Sequence, residues 1–335
     1  MGRTIRRSFL VVLAAVVCAG ACAAVRAGFS DLLDKVKDRV GPALLANDVL
    51  AEPGAEVMLE ASLRSGLRLT GEEGRRIQFH LDERRLGEVR SDRDGNASVR
   101  WTAPETPGDY VVRVRVKPDD QPDKPVEDTQ LLVAVRKADA PMVVVDLDKT
   151  VVASGFHTVL LGNPTPMARS PEVLNRLART HTIVFLTHRP DYFGPKSKAW
   201  LKANGYPPGP VLMSTVGSFL KGSGTYKSEM IAALKKRFTK VEIGIGDKTS
   251  DVEAYHENGL KAFLIIQIPD DAAPETLEAL ADSIKDLPDA VQVVTGWDQV
   301  EEGLFGRGKY PRSAMEKKLR SLAAQRKNQE AAKPE

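Results

Sequence analysis

Met142-Val143-Val144-Val145 is an unbroken apolar run that ends in two aspartates, Asp146 and Asp148. A strand covered on both faces carries such a run, whereas a half-exposed strand would alternate. Four more short apolar runs follow it, Ile183–Leu186, Pro210–Met213, Val241–Ile245 and Ala262–Ile266. Helix signals separate them. Ser170-Pro171-Glu172 offers a cap, a first-turn proline and an acid, and Gly205 and Gly259 each follow a helical stretch as its terminating glycine. This alternation predicts an α/β domain over residues 141–305, a Rossmann-like parallel sheet with helices on both faces.

Upstream the period changes. Val57–Ala61, Ile77–Leu81, Ala97–Trp101, Tyr110–Val116 and Leu131–Val135 alternate or nearly so. Turn signals stand between them at Pro53-Gly54, Gly71, Asp94-Gly95-Asn96 and Pro107-Gly108-Asp109. Short strands at this spacing predict a small all-β sandwich over residues 49–137, similar to the immunoglobulin-like modules of bacterial surface proteins. Asp92, Asp94 and Asn96 have the residue types of a calcium loop, but no bidentate Glu follows, and a hairpin turn accounts for them better. Asp119–Asp128 reads as a long hairpin loop, and Lys137–Pro141 as the boundary between domains.

The ends of the chain have their own signatures. Residues 1–27 have a basic start, an apolar run from Phe9 to Val17 and then small residues, the pattern of an export signal. That run is shorter than the roughly 20 apolar residues a bilayer span needs. Arg6-Arg7 resembles a twin-arginine signal, with Ile5 departing from its usual pattern and leaving the Sec route open. Ala19-Gly20-Ala21-Cys22 is a weak lipoprotein box. The expected location is therefore periplasmic, cell-surface or secreted. Phe29, Leu32, Leu33, Val36, Val40 and Leu44 have the spacing of one helix face, so an amphipathic helix is expected within residues 28–48. Residues 306–335 form a charged tail with nine Lys or Arg against three Glu.

Cys18 and Cys22 are the only cysteines and both lie in the leader, which excludes a disulfide framework and a cysteine-ligated zinc site. The leader also holds four arginines and no acid, so its removal takes the formal charge from +3 to −1. A near-neutral mature chain gives no case for a nucleic-acid partner. Nothing in the sequence speaks to oligomeric state.

The chemistry-bearing residues cluster at the ends of the predicted strands. Asp146 and Asp148 stand where open α/β sheets place ligands. One carboxylate can attack phosphorus while the other handles a proton, and their closeness calls for a hard cation such as Mg²⁺. Thr187 ends the second strand with a hydroxyl suited to a phosphate oxygen. Lys227, at the start of a helix expected over Ser228–Phe238, offers a positive charge. Gly244-Ile245-Gly246-Asp247 ends a further strand, and Asp251, one helical turn on, is placed to support Asp247. Arg189, just after Thr187, reads as a further phosphate-binding residue that reaches a diester or a head group, or else as a surface ion pair. Trp200 and Tyr255 read as packing residues, and His157 and His181 have no metal-like spacing.

Asp146-x-Asp148-x-Thr150, Thr187, Lys227 and Gly246-Asp247-x-x-x-Asp251, in this order, resemble the haloacid dehalogenase superfamily. For its lone lysine, Lys227 fits better than Lys221. The resemblance implies a Mg²⁺-dependent phosphatase in which Asp146 is the nucleophile and Asp148 the acid/base. It places the metal on the Asp146 side chain, the Asp148 carbonyl and Asp247. Phe185–Pro190, Gly205–Val211 and Gly246–Tyr255 further resemble the lipin branch, which includes phosphatidate phosphatases and the C-terminal domain of phosphatidylinositol-transfer proteins. Two other readings stand beside the enzyme: a catalytically silent lipid- or phosphate-binding module, and a phosphatase of soluble monoesters or nucleic-acid ends. Asp148 to Thr187 spans 39 positions and Thr187 to Lys227 spans 40, too few for a cap domain of roughly 50 residues beside the elements already required. An uncapped site is expected to take a membrane-presented phosphate such as phosphatidate.

Overall fold

The computed structural model describes residues 42–65, 70–154, 164–214 and 223–331. The export leader with Cys22, the segment up to Gly41, His157, Lys221 and the last four residues lie outside the described residues. Two compact units emerge: one from the residues up to Asn47 with Glu56–Thr102 and Tyr110–Leu131, the other from Asp48–Ala55, Ala103–Asp109 and Leu132 onward.

The N-terminal part of the chain is all β. Its strands are β1 (Ala43–Ala46), β2 (Val49–Ala51), β3 (Glu56–Ser65), β4 (Thr70–Gly71), β5 (Arg76–Leu81), β6 (Arg84–Arg90), β7 (Asn96–Thr102), β8 (Gly108–Val116) and β9 (Thr129–Val135). They form a four-stranded sheet, with β1, β4 and β7 all pairing β3, and a five-stranded sheet of order β2-β9-β8-β5-β6. Every second residue of β3 from Val57 to Leu63 is buried, as the alternating pattern requires.

Three local details depart from the sequence reading. Ala43–Ala46, the end of the segment read as an amphipathic helix, is a strand paired antiparallel with Ala61–Arg64. Pro42 disfavours helix immediately before it, and pairing with β3 overrides the helix propensity of Ala and Leu. Strand β6 carries too many charges to be read as a strand. It is formed by a two-residue turn in which Asp82 adopts φ 50°, so that Leu81 pairs with Arg84. At the Asp92–Asn96 turn, the Asp92 carboxylate accepts the backbone N–H groups of Asp94 and Asn96. The Arg64 guanidinium donates to Asn96 Oδ1 and to the Asp94 carbonyl, so an arginine supplies the positive charge at this turn. It is not the hairpin expected, because it carries the chain from β6 in one sheet to β7 in the other.

The C-terminal part is α/β. Strands β10 (Met142–Val145), β11 (Thr182–Pro190), β12 (Val211–Ser214), β13 (Val241–Gly246), β14 (Lys261–Ile265) and β15 (Gln292–Val294) form a parallel sheet of order β12-β11-β10-β13-β14-β15. Helices α1 (Ser170–Leu177), α2 (Gly194–Ala203), α3 (Ser223–Lys235), α4 (Thr249–Glu257), α5 (Pro274–Ile284), α6 (Trp297–Phe305) and α7 (Arg312–Ala331) complete it. All four residues of β10 are inaccessible to solvent. Met142 and Val144 enter one apolar core with α3, α4, α5 and α7, while Val143 and Val145 enter another with α1 and α6. The continuous run is thus explained by cover on both faces.

Ser170 is the first residue of α1 and does not cap it. Its hydroxyl donates to the Met167 carbonyl and meets the Tyr206 hydroxyl at 2.6 Å. Among the described residues, no helix is long and apolar enough to cross a membrane.

Candidate active site

The sheet order sets the location. From β10 the chain adds β11 and β12 on one side, then crosses to add β13, β14 and β15 on the other. The order therefore reverses at β10 and β13, and the carboxyl ends of two such strands are where open α/β sheets place their ligands. Asp146 follows β10 and Asp247 follows β13. The ends are locked side by side, because the Asp146 N–H donates to the Ile245 carbonyl at 2.9 Å.

Asp146 is almost wholly buried, and its Oδ1 accepts from Lys227 Nζ at 2.6 Å. Lys227 lies within α3, which begins at Ser223 and not, as the sequence suggested, beside the lysine. Its ammonium, only 1% exposed, also donates to Asp251 Oδ2 at 2.5 Å. Asp251 sits in the first turn of α4, and Ser223 Oγ donates to its other oxygen at 3.2 Å. It was expected to support Asp247; its hydrogen bonds instead anchor the lysine. The glycines of β13 let α4 lie this close. A Cβ on Gly244 would stand 2.2 Å from the Tyr255 ring, and one on Gly246 would stand 3.1 Å from Asp251 Cβ.

Asp148 has a different partner. Arg189, buried at the end of β11, grips it with two bonds, Nε to Oδ2 at 2.9 Å and Nη2 to Oδ1 at 2.7 Å. Its Nη1 donates to Ser197 Oγ of α2 at 3.0 Å. Of the two readings of Arg189, an ion pair is what forms, with the guanidinium buried and Asp148 partly buried.

Thr187, 1% exposed, accepts the Arg189 N–H on its Oγ1 at 3.2 Å, which leaves the hydroxyl proton available to an incoming oxygen. Thr150 lies beneath the loop after β10: its carbonyl accepts Trp297 Nε1 at 2.7 Å, and its buried Oγ1 makes no hydrogen bond. Lys149, between Asp148 and Thr150, turns the chain with φ 53°.

Of the other singled-out side chains, Tyr255 packs against the glycines of β13 beside this cluster, while Trp200 and His181 make their contacts elsewhere. Trp200 donates to the Pro164 carbonyl and packs against Tyr206, and Tyr255 is fully buried. His181 meets Glu242 at 3.5 Å. Ser197, Ser223 and Trp297 hold the site together, yet no spacing relates them to the aspartates, and only folding reveals them.

Electrostatics favour a cation. One carboxylate oxygen each from Asp146, Asp247 and Asp251 lies within 4.8 Å of the others. Burial, with the charges of Asp146 and Asp251, pushes the Asp247 carboxyl up to about 7. Burial likewise raises Asp251. Burial would lower Lys227, but Asp146 and Asp251 outweigh it and hold the ammonium well above its ordinary range. Asp247 Oδ1 is buried and makes no hydrogen bond. An orphaned carboxylate oxygen among acids, with oxygen donors throughout, fits a hard divalent cation such as Mg²⁺.

A prediction follows with a definite sign. A carboxyl raised in the folded state is ionised at a cost, so metal-free stability falls as pH climbs from about 4 to about 7. Asp247→Asn is expected to raise the metal-free melting temperature near pH 8, by about 2–4 °C per kcal/mol relieved, and to leave it unchanged near pH 3. Mg²⁺ should stabilise the wild type more near pH 8 than near pH 6 and should not stabilise the variant. Calorimetric scans check both, and an equal Mg²⁺ effect on the two proteins would remove Asp247 from the metal set.

A family model described as "PITM 1-3, LNS2 domain" matches residues 143–268, a segment that contains every residue of the constellation. This supports the lipin-like branch of the haloacid dehalogenase superfamily for that segment. No curated protein matches the chain. Among solved structures, "Structure of the Pnkp1/Rnl/Hen1 RNA repair complex" is similar at 15% identity over 39% of this chain and 44% of that one, with a TM-score of 0.35. The D0-D1 domain of intimin is similar at 18% identity over 28% of this chain and 45% of that one, with a TM-score of 0.21. The chain thus spans less than half the length of either, and at these scores neither likeness carries an argument.

Proposed function

We propose that the α/β part of this protein is a phosphomonoesterase working with Mg²⁺. The observation that carries the reading is the convergence of Asp146, Asp247 and Asp251 within 4.8 Å at the strand ends, with Lys227 buried among them. Asp146 attacks phosphorus and displaces the leaving oxygen, which takes a proton from Asp148 as it departs. Asp148 then removes a proton from water, whose oxygen attacks the aspartyl-phosphate and frees Asp146 and inorganic phosphate. Lys227 and the Thr187 hydroxyl offset charge on the phosphoryl oxygens. Asp146 and Asp247, with the Asp148 carbonyl by family resemblance, would hold Mg²⁺, which when bound neutralises phosphoryl charge.

For substrate we infer a phosphate displayed on a membrane, with phosphatidate the leading candidate. The described residues between β10 and β11 hold one helix, and those between β11 and α3 hold a short 3₁₀ turn, α2 and β12; none of them forms a cap domain. A site without a cap domain among the described residues suits a headgroup presented by a surface better than a free metabolite. The export pattern fits an enzyme acting outside the cytoplasm on lipid.

The test is phosphate release from a panel of lipid, nucleotide and sugar phosphates. The expected kcat/KM on phosphatidate in mixed micelles exceeds that on glycerol 3-phosphate by at least about tenfold, or roughly 1.4 kcal/mol of transition-state binding. Equal efficiency on glycerol 3-phosphate would replace lipid with soluble monoesters, and no release from any ester would leave a silent binding domain.

A further inference from the structure

Arg189 is held at more points than an ordinary ion pair requires. Its side chain makes two bonds to Asp148 and one to Ser197, its N–H donates to Thr187 Oγ1, and its carbonyl accepts from Ser214 Oγ at 3.1 Å. The side chain is 2% exposed. A guanidinium matched fork-to-fork with a carboxylate fixes the plane of that carboxylate, which a single-point ammonium cannot do. The same strand end thus carries the hydroxyl offered to phosphate and the fork that orients Asp148.

We infer that Arg189 is the positioning residue for Asp148, aiming the acid/base at the leaving oxygen, and that it does not bind the phosphoryl group. The inference rests on the hydrolase reading above. Arg189 connects three elements: β11, which bears it, the loop after β10, which bears Asp148, and α2, which bears Ser197. Ser197 holds the far side of the guanidinium, so the fork keeps its direction when substrate enters.

Leaving-group dependence distinguishes this role from others. A nitrophenolate departs without a proton, whereas an alkoxide does not, so misaiming Asp148 slows leaving-group departure only for the alkyl ester. Hydrolysis of the aspartyl-phosphate, which uses Asp148 as base, slows alike for both. For Arg189→Ala, kcat/KM, which reports the steps through leaving-group departure, is expected to fall by about a hundredfold or more on dihexanoyl phosphatidate and by less than about threefold on 4-nitrophenyl phosphate. Arg189→Lys restores the charge without the fork and should recover less than about a tenth of the lost alkyl activity. Affinity for inorganic phosphate with Mg²⁺, read by calorimetry, should change less than about threefold in both variants. Ser197→Ala, a milder change that retains the ion pair, should move the alkyl-to-aryl ratio in the same direction by about threefold, and it keeps the test alive if Arg189→Ala does not fold.

Equal losses of kcat/KM on both esters, or phosphate affinity that collapses in Arg189→Ala and Arg189→Lys, would overturn the positioning role. A wild type that hydrolyses neither ester would overturn the hydrolase reading, and this role with it. An active wild type with unaltered ester ratios in all three variants overturns the positioning role alone.

Discussion

Asp146→Asn is expected to cut phosphate release to less than about one-thousandth of wild type, because a carboxamide cannot attack phosphorus. The fold should survive. Asparagine has the same size, and its carbonyl oxygen can still accept from Lys227, which already bonds Asp146 Oδ1 at 2.6 Å. Fluoroberyllate with Mg²⁺ should bind the wild type as an aspartyl-phosphate mimic and leave the variant unlabelled. Retained activity above about 1% in Asp146→Asn would exclude covalent catalysis at this residue.

Lys227→Met carries the largest expected change in stability. The ammonium is buried between Asp146 and Asp251, with Asp247 alongside, and methionine would leave these acids with no cation among them. Removing one partner of a buried ion pair costs about 3–5 kcal/mol, which corresponds to a melting temperature lower by roughly 6–20 °C. Two further results would attribute the loss to charge and not to shape. Mg²⁺ should restore part of the melting temperature, because it supplies positive charge to the same acids. Adding Asp251→Asn should restore part of it without metal, because one buried charge is then removed. If Lys227→Met melts within about 2 °C of wild type, the ammonium is not the counter-charge of this site.

Much of this site was legible before folding. Residues at the end of an apolar strand run betray themselves, because such a run that stops at an acid or hydroxyl marks both the strand and its functional side chain. This holds even where, as at Thr187, the strand itself continues to Pro190. Asp146, Thr187 and Asp247 were found this way, after Met142–Val145, Ile183–Leu186 and Val241–Ile245. Gly244 and Gly246 were legible as points of close approach, and the structure supplies what approaches: the Tyr255 ring and the Asp251 side chain. The β-strand pattern upstream was also legible, except where charge masked β6 and where Ala43–Ala46 continued an apolar helical spacing.

The sequence by itself therefore determined which residues end the strands and carry the acids, because strand periodicity and burial are local properties of the chain. Only the tertiary structure decided how these groups are paired. Arg189 lies 41 positions from Asp148, and Lys227 lies 81 from Asp146. No local pattern states that the first aspartate takes the lysine and the second the arginine. Strand order decides it: β10 runs between β11 and β13, so Asp148 meets the arginine of one neighbour, and Asp146 meets the acids that follow the other and the lysine held among them. Asp251 was assigned to Asp247 on helical spacing alone. It bonds Lys227 instead, because a buried ammonium between two carboxylates offsets charge that neither acid could offset for the other.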